Sequence, residues 1–172
     1  MLRYREGDVA AFRLLYGRHR GGVYRYLLRG CGQEDQAAEL FQDVWANVVR
    51  SRERYEAKAR FATWLYTLAH HRLIDHVRAR KPVTEALDDD TPIAAPSQQQ
   101  PDAQAEAASQ RVRLLQELSR LPLEQRQAFL MKEEGGLSLE EIAQATGVGR
   151  ETVKSRLRYA LARLREALTD VL

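Results

Sequence analysis

Apolar residues recur at steps of three and four along most of this chain, the spacing of a helix face, and no stretch shows the alternation of a strand. In GDVAAFRLLYGRHRGGVYRYLL, Val9, Phe12, Leu15 and Tyr16 set the pattern, and Val23, Tyr24, Leu27 and Leu28 repeat it after Gly21-Gly22. Two amphipathic helices, or one with a weak joint at the paired glycines, are predicted there. A third helix follows Gly30-Cys31-Gly32 in QEDQAAELFQDVWANVVRSRERY, where Leu40, Phe41, Val44, Trp45, Val48 and Val49 make a broad apolar face. A fourth runs from about Phe61 to Arg80 and stops before Pro82, which disfavours a helical conformation at Lys81.

The pattern then lapses. Residues 82–110 hold four of the five prolines and no lysine, arginine or aromatic residue. So little apolar bulk cannot offset the entropy of ordering the segment, and a flexible linker is expected, its last part feeding the next helix. A chain of that length spans roughly 30 Å on average and about 100 Å when stretched.

Helical spacing resumes in RVRLLQELSRL, up to Pro122, and in LEQRQAFLMKEE, up to Gly135-Gly136. LSLEEIAQAT and RETVKSRLRYALARLREAL complete the chain. The expected fold is all-α: two small helical domains, 1–81 and 111–172, joined by a flexible acidic linker at 82–110.

The rear domain carries a more specific signature. Ser138 followed three residues later by Glu141 is a capping box, with Leu137 and Ile142 placed to staple across it. Thr146-Gly147-Val148-Gly149 then makes a short turn into another helix, and helix, glycine-containing turn, helix is the unit that reads the DNA major groove. Projected at a helical step, Val153, Leu157, Leu161, Leu164 and Leu168 form the core face of that last helix. Glu151, Ser155, Arg158, Tyr159 and Ala162 lie opposite, flanked by Arg150, Lys154 and Arg156. Arginine can pair with guanine in bidentate fashion and glutamate can accept from cytosine, so this face suits base edges. Gly149 is a weaker helix start than serine would be.

Charge is distributed in blocks. Residues 1–81 hold 16 Lys/Arg against 9 Asp/Glu, residues 82–110 none against 6, and residues 111–172 hold 11 against 9. A basic front, an acidic middle and a mildly basic rear agree with two folded units around a linker. The single cysteine, Cys31, excludes an internal disulfide within the chain. No run approaches the roughly 18 apolar residues of a membrane span, and MLRYREGDVAAF lacks the apolar core of a secretory signal. A soluble cytoplasmic protein without membrane insertion is expected.

Basic and aromatic residues interleave before and into the fourth helix. Arg52, Arg54, Lys58 and Arg60 surround Tyr55, and Phe61, Trp64 and Tyr66 follow. That mixture suits single-stranded DNA, whose backbone is held electrostatically while unstacked bases rest on rings. An extruded base can also be read along its pairing edge. Trp64, Leu65 and Leu68 share one stripe, so Trp64 is expected to be mostly structural, and Tyr66, Leu73 and Val77 form a second stripe. Arg72, Arg78, Arg80 and Lys81 are candidates for phosphate contacts, which position without specifying sequence.

Taken in order, GDVAAFRLLYGRHRGGVYRYL, AELFQDVW, FATWLYTLAHHRLIDHVR and LPLEQRQAFLMKEEGGLSLEEIAQATGVGRETVKSRLRYA resemble the extracytoplasmic-function sigma factors of bacterial RNA polymerase. The resemblance covers nearly all of the chain outside residues 82–110. It implies that the front domain is region 2, which binds core polymerase and the −10 promoter element, and that the rear domain is region 4, which binds the −35 element. It carries the −35 role to Arg150, Glu151, Lys154, Ser155, Arg156, Arg158 and Tyr159. The −10 role falls on Lys58, Arg60, Phe61, Trp64, Tyr66, His71, Arg72, Arg78, Arg80 and Lys81. Glu39, Gln42 and Asp43 would meet the coiled coil of the β′ clamp. Where many relatives have an asparagine near the middle of the fourth helix, this chain has His70-His71. The implied partners are core RNA polymerase and promoter DNA, with an anti-sigma protein as a further candidate that no residue here identifies. No cofactor, metal or catalytic activity is implied.

Two other readings compete. His71, Asp75 and His76 have a spacing that could ligate a metal on one helix face, but no second cluster supplies the remaining ligands. A stand-alone helix-turn-helix regulator would need a sensor domain, which the FQDVW and TWLYTLA segments do not resemble.

Overall fold

The computed structural model describes the backbone of residues 1–80 and 102–169 and the side chains of 1–80 and 110–166. The described residues form eight helices and no strand: α1 Leu2–Arg5, α2 Val9–Cys31, α3 Glu34–Arg50, α4 Phe61–Arg80, α5 Asp102–Ser119, α6 Leu123–Gly135, α7 Leu139–Thr146 and α8 Arg150–Thr169. In the front unit α2, α3 and α4 pack pairwise, with α1 against α2. In the rear unit α5, α6 and α7 all pack on α8. The two units are also in contact, α2 with α6 and α4 with α6 and α7. One buried apolar cluster therefore runs through both, from Val23, Leu27, Leu65 and Leu73 in front to Leu130, Met131, Ile142 and Val153 behind.

Helix α2 begins where Asp8 accepts a hydrogen bond from the Ala11 amide at 3.0 Å, which satisfies one of the unpaired donors of the first turn. It ends at Gly32, whose φ of 79° is the left-handed conformation that glycine adopts without strain. Between these ends it is one continuous helix through Gly21-Gly22, although two interior glycines cost about 1 kcal/mol each relative to alanine. Packing explains Gly22, whereas a Cβ on Gly21 would meet only the Arg25 side chain of the same helix. A Cβ on Gly22 would lie 2.6 Å from the carbonyl oxygen of Glu134, and one on Gly135 would lie 3.0 Å from the Tyr66 ring. A Cβ on Gly30 would lie 2.4 Å from Leu73 Cδ2. These glycines let neighbouring helices approach, and none of them breaks a helix.

Several expectations need correction. Helix α3 stops at Arg50, and Val49 is 46% exposed because the face that meets α2 and α4 is narrower than the apolar stripe. In α8, Leu161 is 39% exposed and Ala160 is fully buried. The contact stripe follows Val153, Leu157, Ala160 and Leu164, and Leu161 falls one residue beyond its edge. The side chain of Leu168 lies outside the described residues. So does most of the expected linker, residues 82–101, and Lys81 with it, whereas residues 102–110 belong to α5. Among the described residues no helix is long and apolar enough to cross a membrane.

Candidate nucleic-acid interface

The rear site is built on a rigid turn. The Ser138 hydroxyl accepts from the Glu141 amide at 3.2 Å and the Glu141 carboxylate accepts from the Ser138 amide at 2.9 Å, closing the capping box at the start of α7. Leu137 and Ile142 on either side are buried in the core. Gly147, at φ 70°, takes the left-handed conformation that ends α7, and Val148 packs against the core before α8 starts. With α8 anchored through Val153, Leu157, Ala160 and Leu164, its other face is fixed outward.

On that face Glu151, Lys154, Arg158 and Tyr159 are exposed, and Ser155 and Arg156 are half-buried at its margin. Tyr159 is 54% exposed and lies beneath the Arg158 guanidinium, 5.0 Å from guanidinium carbon to ring centroid. This cation–π contact limits the rotamers of both and presents a flat polar surface. Arg150 bonds Glu140 at 2.5 Å and Glu151 at 3.0 Å, and Lys154 reaches Glu151 at 3.5 Å. These exposed pairs exchange readily with water and other anions, so both cations stay available to a phosphate.

Of the front candidates, Lys58 and Trp64 line a cleft of about 470 Å³ between the 51–60 loop and α4, together with Ser51, Arg54, Tyr55 and Thr63 among others. Arg5 pins the loop by donating to the Tyr55 carbonyl at 3.1 Å. Tyr55 itself is buried, edge-on to Trp64 at 4.9 Å, so it forms the cleft wall instead of standing out as a stacking ring. Phe61 and Trp64 are half-buried, and Lys58 is exposed and paired with Glu56 at 2.5 Å. Tyr66 is 1% exposed, enclosed by Tyr26 on one side and Gly135 on the other. It is thus withdrawn from any DNA surface here, because the second apolar stripe of α4 is packed against α2 and α6.

Arg60 is also engaged across the units. Its Nη1 donates to Glu141 Oε2 at 3.2 Å, while Thr63 Oγ1 donates to Glu141 Oε1 at 2.8 Å. Gln144, one turn further along α7, lines the same cleft. A second set of contacts lies at the other end of the seam, where Glu134 accepts from Arg25 at 2.7 Å and also from Arg29. None of Arg25, Arg29, Thr63, Glu134 or Gln144 was singled out from sequence. The partners of the first four are 78 to 109 residues away, and no local signal pairs them.

Further along α4, His71, Arg78 and Arg80 are exposed and Arg72 is half-buried. Arg80 donates to the Gln36 side chain at 2.6 Å, which His76 also contacts at 2.8 Å. His70 turns inward to the Tyr26 hydroxyl at 3.4 Å. Burial, reinforced by the charges of His71, Arg156 and Arg78, pushes its pKa down to about 4. On α3, Glu39, Gln42 and Asp43 are all exposed, and Gln42 borders a cleft of about 440 Å³ with Tyr16, Arg20, Tyr24 and Phe41. Among the described residues no group of three His, Cys, Asp or Glu is placed to hold a metal ion.

Two family models match this chain. Residues 15–83 match the family model of sigma-70 region 2, and residues 111–164 match that of sigma-70 region 4. The chain is 33% identical to the RNA polymerase sigma factor CarQ of Myxococcus xanthus, covering 99% of this chain and 97% of the relative. It is 33% identical to the ECF RNA polymerase sigma factor RpoE of Cereibacter sphaeroides, covering 94% and 88%. Among solved structures, the fold is similar to the sigma factor RpoE in complex with the anti-sigma factor NepR from Bartonella quintana, with TM-score 0.74, 22% identity and coverage of 94% and 98%. It is also similar to CnrH in complex with the cytosolic domain of CnrY, with TM-score 0.68, 21% identity and coverage of 98% and 94%.

Proposed function

The chain belongs to the extracytoplasmic-function sigma factors, which direct RNA polymerase to initiate at specific promoters, and from that premise we propose how its residues divide the work. The outward face of α8 docks in the major groove of the −35 element, with Arg158, Glu151 and Ser155 facing base edges and Arg150, Lys154, Arg156 and Tyr159 settling the helix on the backbone. The observation that carries this reading is the fixed geometry of that face: a capped helix, a left-handed glycine turn and a buried stripe leave these side chains one direction to point.

The cleft beside Lys58, Phe61 and Trp64 takes an unstacked base of the melted −10 strand. Arg60, His71, Arg72, Arg78, Arg80 and Lys81 follow its phosphates. Glu39, Gln42 and Asp43 on α3 meet core polymerase. Region 2 is assigned to residues 1–81, region 4 to 111–172, and 82–110 connects them. The chain acts in the cytoplasm as a specificity subunit without catalysis of its own, and an anti-sigma protein is a partner to be sought, as in the complex of RpoE with the anti-sigma factor NepR.

Run-off transcription with core polymerase tests the reading. Specific transcripts from a promoter with both elements, absent without this chain, are expected. Tight binding to a duplex operator without polymerase, and no association with core, would support a stand-alone regulator instead.

A further inference from the structure

Helix α2 carries five arginines and one histidine between Val9 and Cys31 and no acidic residue. Arg25 and Arg29 are engaged by Glu134 of α6, and Arg20 lies over the Tyr16 ring. Arg18 is exposed and has neither an ion pair nor a hydrogen bond among the described residues. His19 beside it turns toward the front site, with its ring 5.4 Å from that of Phe61. Phe61 in turn meets Trp64 at 5.8 Å and Tyr55 at 6.4 Å, two rings that line the cleft. His19 therefore stands at the end of an aromatic row that begins in the cleft, close to Arg60, the residue before Phe61.

This end of the row is electropositive and incomplete. Neither ring nitrogen of His19 has a hydrogen-bond partner among the described residues. Burial, and then the charges of Arg18 and Arg60, hold its pKa below the ordinary imidazole value, so the ring is neutral near pH 7. The elements around it bring carboxylates that are already paired: Glu141 of α7 with Arg60, Glu56 of the loop with Lys58, and Glu134 of α6 with Arg25 and Arg29. None of these carboxylates is among the charges that act on His19. The Arg60 side chain is 60% exposed, and such a surface pair exchanges readily with other anions. Two guanidinium groups and an imidazole that repel one another are stabilised together by a single anion.

We propose that Arg18 and His19 of α2, with Arg60, form a phosphate seat that holds the backbone of the melted strand next to the nucleotide in the cleft, Phe61 being the ring between seat and cleft. This rests on the reading of the cleft as the −10 site. A phosphate in the seat reverses the sign of the local field, so His19 takes up a proton as the strand binds. Because the phosphate raises the pKa of the ring, affinity increases as pH falls from the bound value toward the free one. It levels off once the ring is charged in both states.

Full-length wild type, Arg18→Ala, His19→Phe, His19→Arg and Lys58→Ala are titrated with a fluorescent single-stranded DNA oligonucleotide at several salt concentrations, from about pH 8 to about pH 6. His19→Phe keeps a ring against Phe61 without a proton, and His19→Arg keeps the charge at every pH. Wild type is expected to bind about two- to fivefold more tightly at the acid end, the factor for an exposed charge pair. His19→Phe should lose that gain, and His19→Arg should match acidic wild type throughout, which keeps the test open should the phenylalanine disturb α2. Arg18→Ala should lower the slope of log affinity against log salt by about 0.7. A pH dependence unchanged in His19→Phe, or a salt slope unchanged in Arg18→Ala, overturns the seat and leaves His19 as packing for Phe61. Lys58→Ala separates this from the site assignment. If it weakens binding while the α2 variants do not, the cleft stands and the seat falls; if the α2 variants weaken binding while it does not, the seat stands and the cleft reading falls.

Discussion

Thr63 and Glu141, 78 residues apart, share a 2.8 Å hydrogen bond through which the first turn of α4 meets the first turn of the helix-turn-helix. Glu141 also closes the capping box with Ser138, so one carboxylate serves both a local helix start and a distant contact. Burial opposes its ionisation, but the hydrogen bonds from Ser138 and Thr63 and the charge of Arg60 outweigh that, and its pKa lies below the usual carboxylate value.

The local role can be isolated at Ser138. Ser138→Ala removes the acceptor for the Glu141 amide and is expected to destabilise the rear unit by about 1 kcal/mol. Helix content followed by circular dichroism in a urea series checks this. An unchanged midpoint would mean that tertiary packing alone defines the start of α7.

Sequence choice at the −35 element should depend on Arg158 more than on arginines that only follow the backbone. Arg158→Ala is expected to cost about 1–3 kcal/mol on promoters with the preferred base and little on those without it. Arg78→Ala should weaken all promoters alike and reduce the slope of affinity against salt by about one. Transcription from a panel of −35 variants distinguishes the two, and equal losses across that panel for Arg158→Ala would remove its reading role.

Stability should fall with acid in a window set by His70. Its pKa of about 4 when folded lies below the ordinary 6.5, so between those values the unfolded chain holds the extra proton. The stabilisation is therefore complete above about pH 6.5 and is lost as pH falls toward 4, by at most about 3 kcal/mol and by less for a half-buried ring. Urea midpoints across that range should slope for wild type and flatten for His70→Phe. Equal slopes would place the proton uptake on another group.

Gly30 and Leu73 should behave as a coupled pair. Gly30→Ala drives a methyl into the fully buried Leu73 side chain and is expected to cost about 1–3 kcal/mol. Leu73→Ala leaves a cavity and should cost about 2–5 kcal/mol. The double variant is expected to be more stable than the sum of the two losses, since the new methyl occupies vacated space. Additive costs in a double-mutant cycle would show that the helices adjust independently.

What could be read from sequence follows the range of the interactions. The capping box, the Gly147 turn and the outward face of α8 each depend on a few consecutive residues, so spacing was enough. The all-helical fold, too, was legible from apolar spacing. The seam was not, because Arg25, Arg29 and Glu134 look like ordinary solvated charges until α2 and α6 come together. The same meeting turned Gly22 from part of an apparent joint into a contact, and enclosed Tyr66, which its basic surroundings had suggested for DNA. Leu161 shows the complementary limit: an apolar side chain at the margin of a stripe is settled by where the neighbouring helices end.

The aromatic packing of the front unit carries a spectroscopic asymmetry. Trp45 meets Phe12, Tyr16 and Phe41 within 6.3 Å, and Trp64 meets Tyr55 and Phe61 within 5.8 Å. The chain has no other tryptophan, and residues 111–172 hold only Phe129 and Tyr159 among aromatic residues. Both indoles therefore lie in region 2, and their emission will report the melting of that half directly, with Trp64 also placed to sense α7 through the cleft it shares with Gln144.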